Sequence, residues 1–537
     1  MSILKVTRRV PPGPRNQSIS ELGEVDVSES SINGIGAMKF TDEEDCGFFG
    51  PSSNIAFMRY ISQVIAKASP HREPTLSPSP LQREYSRMIS VAKSRPPSRG
   101  AESGAENSIP SPAVNIYALP SEERTWNLIQ QYFYKTGQLL PFIHEPSFCE
   151  TYFQMKREKF SKVCRIWLGL LNIVLAIAAS LLTKGEIPTE KRIQESNVYY
   201  QRANGLCDRD SRRNASLEIV QYLLILGQYL QGTQNSVQAW AAHGLAISAA
   251  YQLGLHSPDA NRGFRSLKCE IRKRTWFGCM LSLTPETESH PTLDGSFFTA
   301  AIKLYAILYN VLESCYGANL GIEVSTSSID AISGILEGQR RLDEWRLQQL
   351  PSPGLRVWDN PVSREDIEKM DAGSVIHHRF NVILYVRYNN LRILVHRRCL
   401  ESLLDSFQTQ ETMVTSETRL LQHMRLDSVA SCVESAVSII STVFNMSSGS
   451  GWRREFLDAW NYSLYYTFNA ALVIFGSLIV ASKERDRNPS AWTMICHSRP
   501  YIDTATETLR QIDSGNPVVE RRQAYLSQLS VILDPLS

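Results

Sequence analysis

Closely spaced cysteines are what this 537-residue chain most plainly lacks. Ten cysteines are present, yet no two stand nearer than Cys269 and Cys279, and Cys46 is alone near the N-terminus. A structural zinc site draws several thiolates from one compact loop, so the spacing offers no such site. Their scatter, and a basic N-terminus (MSILKVTRRVPPGPRNQS) with no apolar run behind it, argue against a secreted disulfide scaffold. Reduced thiols in the cytosol or nucleus, mostly serving as small core hydrophobes, are expected instead.

An excess of one charge is missing too. The chain carries 56 Lys and Arg against 54 Asp and Glu, a net charge of +2. A duplex-binding surface shows as a basic excess or a dense basic stripe. Composition therefore gives no support for direct DNA contact. No GxGxxG opens a βαβ unit, and neither a P-loop nor a GxSxG elbow is present, so nothing nominates an enzyme. Strand-type alternation and fixed-period repeats are also lacking.

What is present is apolar helix. Hydrophobic residues make up 43% and charged residues 20%, enough for a sizeable core. Two runs, Ile166–Leu182 and Tyr462–Ala481, approach the ~20 apolar residues of a membrane span. The first is short and contains Asn172; the second has Ser463, Thr467, Asn469 and Ser477 around it. Both are read as buried core helices, with no membrane partner.

Residues 1–112 are rich in Ser, Pro, Gly and Glu and read as a mostly disordered linker region. Within it, Ser52, Ser53 or Asn54 can cap a short helix near 52–66 bearing Ile55, Phe57, Met58, Ile61 and Val64, which is expected to dock on the body or to fold weakly. Residues 113–537 read as one all-α, large, layered multi-helix domain. Pro120-Ser121-Glu122-Glu123 resembles a capped helix start. The best-specified stretch, 215–255, reads as an antiparallel helical hairpin. Its second helix aligns Val237, Ala241, Gly244 and Ser248 between Trp240 and Tyr251, a small-residue face suited to close approach of a neighbour. Gly254 and Leu255 suit a C-terminal cap. Loops are expected at 284–291 and 350–354. Later helices are expected near Phe297–Tyr316, Ile376–Cys399, Leu426–Phe444, Trp460–Ser482, Ala491–Ser514 and Val519–Leu529.

Single residues nominate no site. Arg272-Lys273-Arg274 reads as a solvated face, with Leu267, Ile271 and Thr275 on the buried side; nuclear import or phosphate contact is the alternative. Arg8-Arg9 with Arg15 reads as a flexible basic tail. His144, His243, His256 and His396 show no HxxH or HExxH spacing and read as capped or core-satisfied. Trp240 and Trp276 read as packing anchors, and Asn214-Ala215-Ser216 as a helix cap. No catalytic, metal, cofactor, DNA-binding or effector-binding residue is assigned.

Five segments carry a resemblance. Gln138-Leu-Leu-Pro-Phe-Ile-His-Glu-Pro-Ser-Phe148 comes first, then Ala215–Leu255 ending in QLGLH, then Glu270-Ile-Arg-Lys-Arg-Thr-Trp276. Tyr388-Asn-Asn-Leu-Arg-Ile-Leu-Val-His-Arg397 and Leu464-Tyr-Tyr-Thr-Phe-Asn-Ala-Ala471 complete the series. In this order they resemble the fungal-specific regulatory domain of zinc-cluster transcription factors over most of 119–537. FFGPSSNIAFMR at 48–59 resembles the segment just after that family's zinc cluster and linker.

The resemblance implies a nuclear transcription regulator whose helical body mediates homo- or heterodimer formation. It also implies contact with the transcription machinery or a small-molecule effector, and no enzyme activity. It implies zinc in a six-cysteine cluster placed on CGG-type triplets. That cluster's ligands are missing from this chain, which reads as starting beyond it. A second departure comes after Met280, where LSLTPETESHPTLDG replaces the family's D-R-x-x-S-x-x-x-G-R-P segment, so the domain is expected to be truncated or altered near 281–296. The second functional reading is a partner that does not bind DNA and modulates an intact zinc-cluster factor.

Overall fold

The structure, a computed structural model, describes residues 50–68, 114–161, 163–181, 188–211, 215–233, 235–280, 293–316, 328–349, 358, 360–370, 375–406, 416–449, 460–484, 493 and 495–533. The linker reading of 1–112 outside 50–68, and the segment 281–292, lie outside the described residues. Among the described residues there are seventeen α-helices and no strand, as an all-α fold requires.

The chain opens with α1 (Asn54–Ala68), which runs over the stretch read as 52–66. Its cap is Ser53, whose Oγ accepts from Ala56 N at 3.1 Å. Then come α2 (Glu122–Tyr132), a single π-turn (Phe133–Gly137) and α3 (Glu145–Arg157). Ser121 caps α2, accepting from Arg124 N at 3.3 Å, with Glu122 and Glu123 on the positive helix end.

The helix α4 (Arg165–Ser180) is the first apolar run, and every residue from Trp167 to Ala179 is buried. Its one polar interior residue, Asn172, donates to Leu168 O at 2.9 Å. A Cβ on Gly169 would overlap Cys207 Sγ, so this glycine sets how closely α5 (Thr189–Ser211) packs against α4.

The hairpin is α6 (Leu217–Gly232) and α7 (Ser236–Gln252). Ser216 caps α6 through Ile219 N at 3.2 Å, which is the capping role read for the Asn214–Ser216 triplet. The end of α7 is the cap expected there. Gly254 is at φ 64, Leu255 N donates to Ala250 O at 3.0 Å, and Leu255 is buried. The short α8 (Pro258–Asn261) and α9 (Ser266–Met280) come next, then α10 (Leu293–Cys315) and α11 (Ser328–Gln349).

The C-terminal part comprises α12 (Arg364–Glu368), α13 (Val375–Ser406), α14 (Ser416–Ser447), α15 (Trp460–Glu484), α16 (Pro500–Asp513) and α17 (Pro517–Leu533). α14 starts ten residues before the expected boundary, and α16 opens at Pro500, where a missing N–H is not needed. α11 has no counterpart among the expected helices. Its exposed Asp330, Arg340, Asp343 and Glu344 are as many as the buried Ile332, Ile335, Leu342 and Trp345, which nonetheless hold helical spacing.

Two apolar cores share α13. Phe380, Leu384, Tyr388, Leu391, Val395 and Cys399 join a first core built from α2–α7, α9, α10 and α11. Val382, Val386, Ile393, Leu400 and Leu404 join a second core with α1, α12 and α14–α17. A helix apolar on two faces has to be buried on both. α15, the second apolar run, is buried over nearly all its length in that second core. α14 is also long and apolar enough to cross a membrane by length and composition, and packs against α13, α15 and α16.

One ion pair ties the two halves across 321 residues. Arg192 Nη2 on α5 meets Asp513 Oδ1 at 2.7 Å and Oδ2 at 2.6 Å at the end of α16, both side chains buried. Arg192 Nη1 also donates to Ser180 O, and Asn516 Nδ2 donates to Asp513 Oδ2.

Candidate functional site

The five recurring segments fold into two groups. Around Phe142, Gln221 Nε2 of α6 donates to the Phe142 carbonyl at 2.7 Å, and a Cβ on Gly278 of α9 would press on its ring at 2.5 Å. Around α13, Asn469 Nδ2 of α15 donates to Asn390 Oδ1 at 3.0 Å. The second group carries the charged interior.

Arg397 of α13 is fully buried. Its Nη2 donates to Pro51 O at 3.0 Å and Ser52 O at 2.7 Å, and its Nη1 to Asn54 Oδ1 at 3.3 Å. Its Nε lies 3.3 Å from Glu401 Oε1, and the Phe57 ring is 4.8 Å from the guanidinium. Burial pushes the Glu401 carboxyl up while Arg397 and Arg398 pull it back. Arg397 thus fastens the entry of α1 to the second core.

Arg387, ten residues earlier, forms no ion pair among the described residues. Its guanidinium sits 5.7–5.8 Å from the ring centres of Phe297, Tyr305 and Tyr462, bonds Tyr466, and leaves Nε buried without a partner. Arg522 is barer still. It lies on the apolar side of α17 with Val519, Tyr525 and Leu526, at 3% exposure. Its Nε and Nη1 have no hydrogen-bond partner, and its guanidinium lies 5.7 Å from the Phe468 ring centre.

Burial draws the Arg522 guanidinium down to about 9, which leaves it cationic at neutral pH. Burial pushes the phenols of Tyr462, Tyr465 and Tyr466 up, so none supplies an anion there. Tyr465 links the cluster, lying within electrostatic range of Arg397, Tyr305 and Arg522. Tyr305, Tyr462 and Tyr465 remain half-buried.

His396, also on α13, faces α11. Its Nε2 lies 3.0 Å from Gln339 Oε1, and Gln339 Nε2 donates to Asp343 Oδ1. Burial first, and the neighbouring Arg392 second, lower the imidazole from 6.5 to about 4. A depressed histidine stays neutral in the folded chain but takes a proton in the unfolded one below 6.5. Stability from this group is therefore complete above pH 7 and lost as pH falls from 6.5 toward 4. By pH 5 the loss is about 2 kcal/mol. Urea unfolding at pH 7 and pH 5 measures it, and His396→Asn is expected to remove that part of the difference.

The other histidines do not converge. His144 caps α3, its Nδ1 accepting from Ser147 N at 3.3 Å. His243 bonds the Cys279 backbone, and His256 packs on Tyr251 and Trp276. Cys207, Cys279, Cys399 and Cys432 are buried, and burial pushes Cys279 up to about 12. No three His, Cys, Asp or Glu groups among the described residues gather as metal ligands. The described cysteines therefore do not fit the zinc cluster that the resemblance implies.

Two expectations are corrected. Arg272 is buried rather than solvated: Nε donates to Asn261 Oδ1 at 2.6 Å, Nη2 to Leu253 O at 2.8 Å, and Phe264 covers it at 4.6 Å. The buried side of α9 is Arg272, Thr275, Gly278 and Cys279, while Leu267 is 47% exposed. The basic residue closes the α7–α8 corner, a role that charge counting cannot see. Trp276 does pack on the first core, but Trp240 is 75% exposed. Val237, Ala241, Gly244, Leu245, Ser248 and Tyr251 share its exposed face, and a Cβ on Gly244 would meet nothing. The small-residue stripe of α7 is real but has no neighbour among the described residues of this chain.

A helical body with two cores on one shared helix is the class of domain these elements define. The family described as "Fungal specific transcription factor domain" matches residues 129–281. The chain is 30% identical to Transcription factor FBD3 of Gibberella moniliformis, over 97% of this chain and 71% of that protein. It is 29% identical to Transcription factor FBD3 of Fusarium pseudograminearum, over 95% and 70% respectively. It is 23% identical to an ABC-transporter-regulating transcription factor of Aspergillus oryzae, over 67% of this chain and 42% of that protein. No solved structure matches. The chain belongs to the fungal-specific transcription factor family, and transcription regulation is its role.

Proposed function

We propose that this chain acts in the nucleus as the regulatory and self-associating part of a transcription regulator, without catalytic activity. The similarity over 97% of the chain to a protein named a transcription factor carries this reading. The partner we assign to the α7 face is a second copy of the chain. Trp240 and Tyr251 flank Gly244 on either side along that face, with Ala241 and Ser248 between them. A two-fold pair centred on Gly244 sets each large ring against the small residues of the other copy, the self-complementarity that an isologous contact requires. An exposed apolar patch of this kind marks an interaction surface.

The balance of 56 basic and 54 acidic residues supports the second reading, in which an associated factor supplies promoter contact. The end of the family match at 281 supports an altered domain beyond it.

The chain fused to an unrelated DNA-binding domain is expected to change reporter output and to accumulate in nuclei. In sedimentation at micromolar concentration it is expected to run as a dimer, and Trp240→Glu as a monomer. A wild-type monomer refutes the self-association; an unresponsive reporter refutes the regulatory role.

A further inference from the structure

The second core holds α1 in the way a groove holds a peptide ligand. A 15-residue helix is marginal in water by itself, so its order comes from the body that receives it. Phe57, Ile61 and Val64 are buried at i, i+4 and i+7, with Met58 beside them, the spacing of a helix laid into an apolar groove. The groove is shaped for these side chains: a Cβ on Gly476 of α15 would come 3.0 Å from Ile61 Cδ1. Polar contacts from two further helices fix the register. Arg397 of α13 donates to the carbonyls of Pro51 and Ser52, and the Tyr60 hydroxyl donates to Glu401 O and Asp405 Oδ1 of α13, each at 2.8 Å. Ser62 Oγ lies 3.3 Å from Tyr525 Oη of α17. These partners stand 341 to 463 residues away along the chain.

We propose that two copies of the chain exchange α1, each seating its helix in the α13–α15–α17 groove of the other. The exchanged and unexchanged pairs contain the same contacts, so exchange asks for no new complementarity. Only the tether distinguishes them. Residues 69–113, 45 in all, separate α1 from the next described residue. Their greatest possible reach is about 150 Å, at ~3.3 Å per residue. A body of ~420 residues has a radius of gyration of only about 22 Å. The connection is therefore too long to dictate which groove receives the helix. Within a dimer both grooves stand at comparable effective concentration, whereas a monomer offers α1 only its own. The exchange deepens the self-association proposed above and rests on it, adding a reciprocal hold that the α7 contact does not supply.

The test mixes two full-length variants. Arg397→Met keeps α1 but weakens its groove, while Ile61→Asp disables the helix and leaves a vacant groove with Arg397 in place. With the Ile61→Asp chain in excess, the α1 of the Arg397→Met chain finds an intact groove in its dimer partner. Its Phe57–Ile61 amides are then expected to exchange roughly tenfold or more slowly than in that variant alone. The substitution at 61 changes the peptide mass, so mass spectrometry reads each chain separately. Adding Trp240→Glu to both chains is expected to abolish the gain. A second measurement needs no vacant groove. Tyr60→Lys sets an amine beside the Asp405 carboxylate, and carbodiimide coupling of a mixture of isotopically light and heavy chains is expected to give linked peptides with one light and one heavy half. If Ile61→Asp does not fold, the coupling decides alone. A dimer that yields only light–light and heavy–heavy linked peptides, or no protection on mixing, overturns the exchange and leaves the α7 pairing standing. Protection regained even with Trp240→Glu supports the exchange and refutes the α7 pairing. A wild-type monomer overturns both.

Discussion

Asp513→Ala is expected to lower the unfolding free energy by about 3–5 kcal/mol, among the largest effects of any single polar truncation in this chain. The carboxylate accepts both bonds from Arg192 Nη2 at 2.6 and 2.7 Å and a third from Asn516. Truncation leaves the Arg192 guanidinium buried without its anion. A surface pair of the same geometry contributes about 0–1 kcal/mol, so burial rather than geometry sets the size of the effect. The paired replacement Arg192→Met with Asp513→Leu is expected to recover most of the loss, since it removes both buried charges at once. Guanidinium unfolding of the single and paired variants decides it; equal losses in the two would show that the residues act by shape alone. Because the pair joins α5 to the end of α16, the single variant is also expected to make the two halves unfold in separate steps.

How much of this was legible in the sequence depends on where the signal lay. The caps at Ser121 and Ser216 and the Gly254–Leu255 helix end were readable, because each is a local match between one residue and nearby backbone groups. The burial of Trp167–Ala179 and of most of Tyr462–Ala481 was readable from polar residues placed around apolar helices. Trp240 and Arg272 were not. A tryptophan beside a small-residue stripe signals packing, but nothing local says whether the neighbour belongs to the same chain. An arginine within Arg-Lys-Arg looks solvated until Phe264 and Asn261, brought round by the α7–α8 corner, enclose it. The arginine–tyrosine layer escaped the same way. Arg387, Arg397 and Arg522 sit among apolar residues at helical spacing, yet the groups facing them come from α1, α10 and α15, far away in the chain.

Arg397→Met is expected to free the N-terminal helix more than to unfold the body. The side chain satisfies two carbonyls and Asn54 at the entry of α1, and neutralises Glu401 beneath it. Losing those charged hydrogen bonds while leaving Glu401 buried costs about 3 kcal/mol. Phe57, Met58, Ile61 and Val64 still favour the docked helix through their buried surface, at about 1.5–3 kcal/mol per fully buried side chain. The docked state therefore persists with a larger open population, roughly a hundredfold larger at about 1.4 kcal/mol per decade. Amide exchange at Phe57–Ile61 is expected to accelerate by about that factor while the α13 and α15 amides change little. Arg397→Lys separates the two contributions. A lysine restores the charge opposite Glu401 but has no planar fork to span Pro51 O, Ser52 O and Asn54, so exchange intermediate between wild type and methionine is expected. Full protection in the lysine variant would mean that neutralising Glu401 is all Arg397 does, and α1 would then be held by its apolar face and by the bonds of Tyr60 to Glu401 O and Asp405 Oδ1.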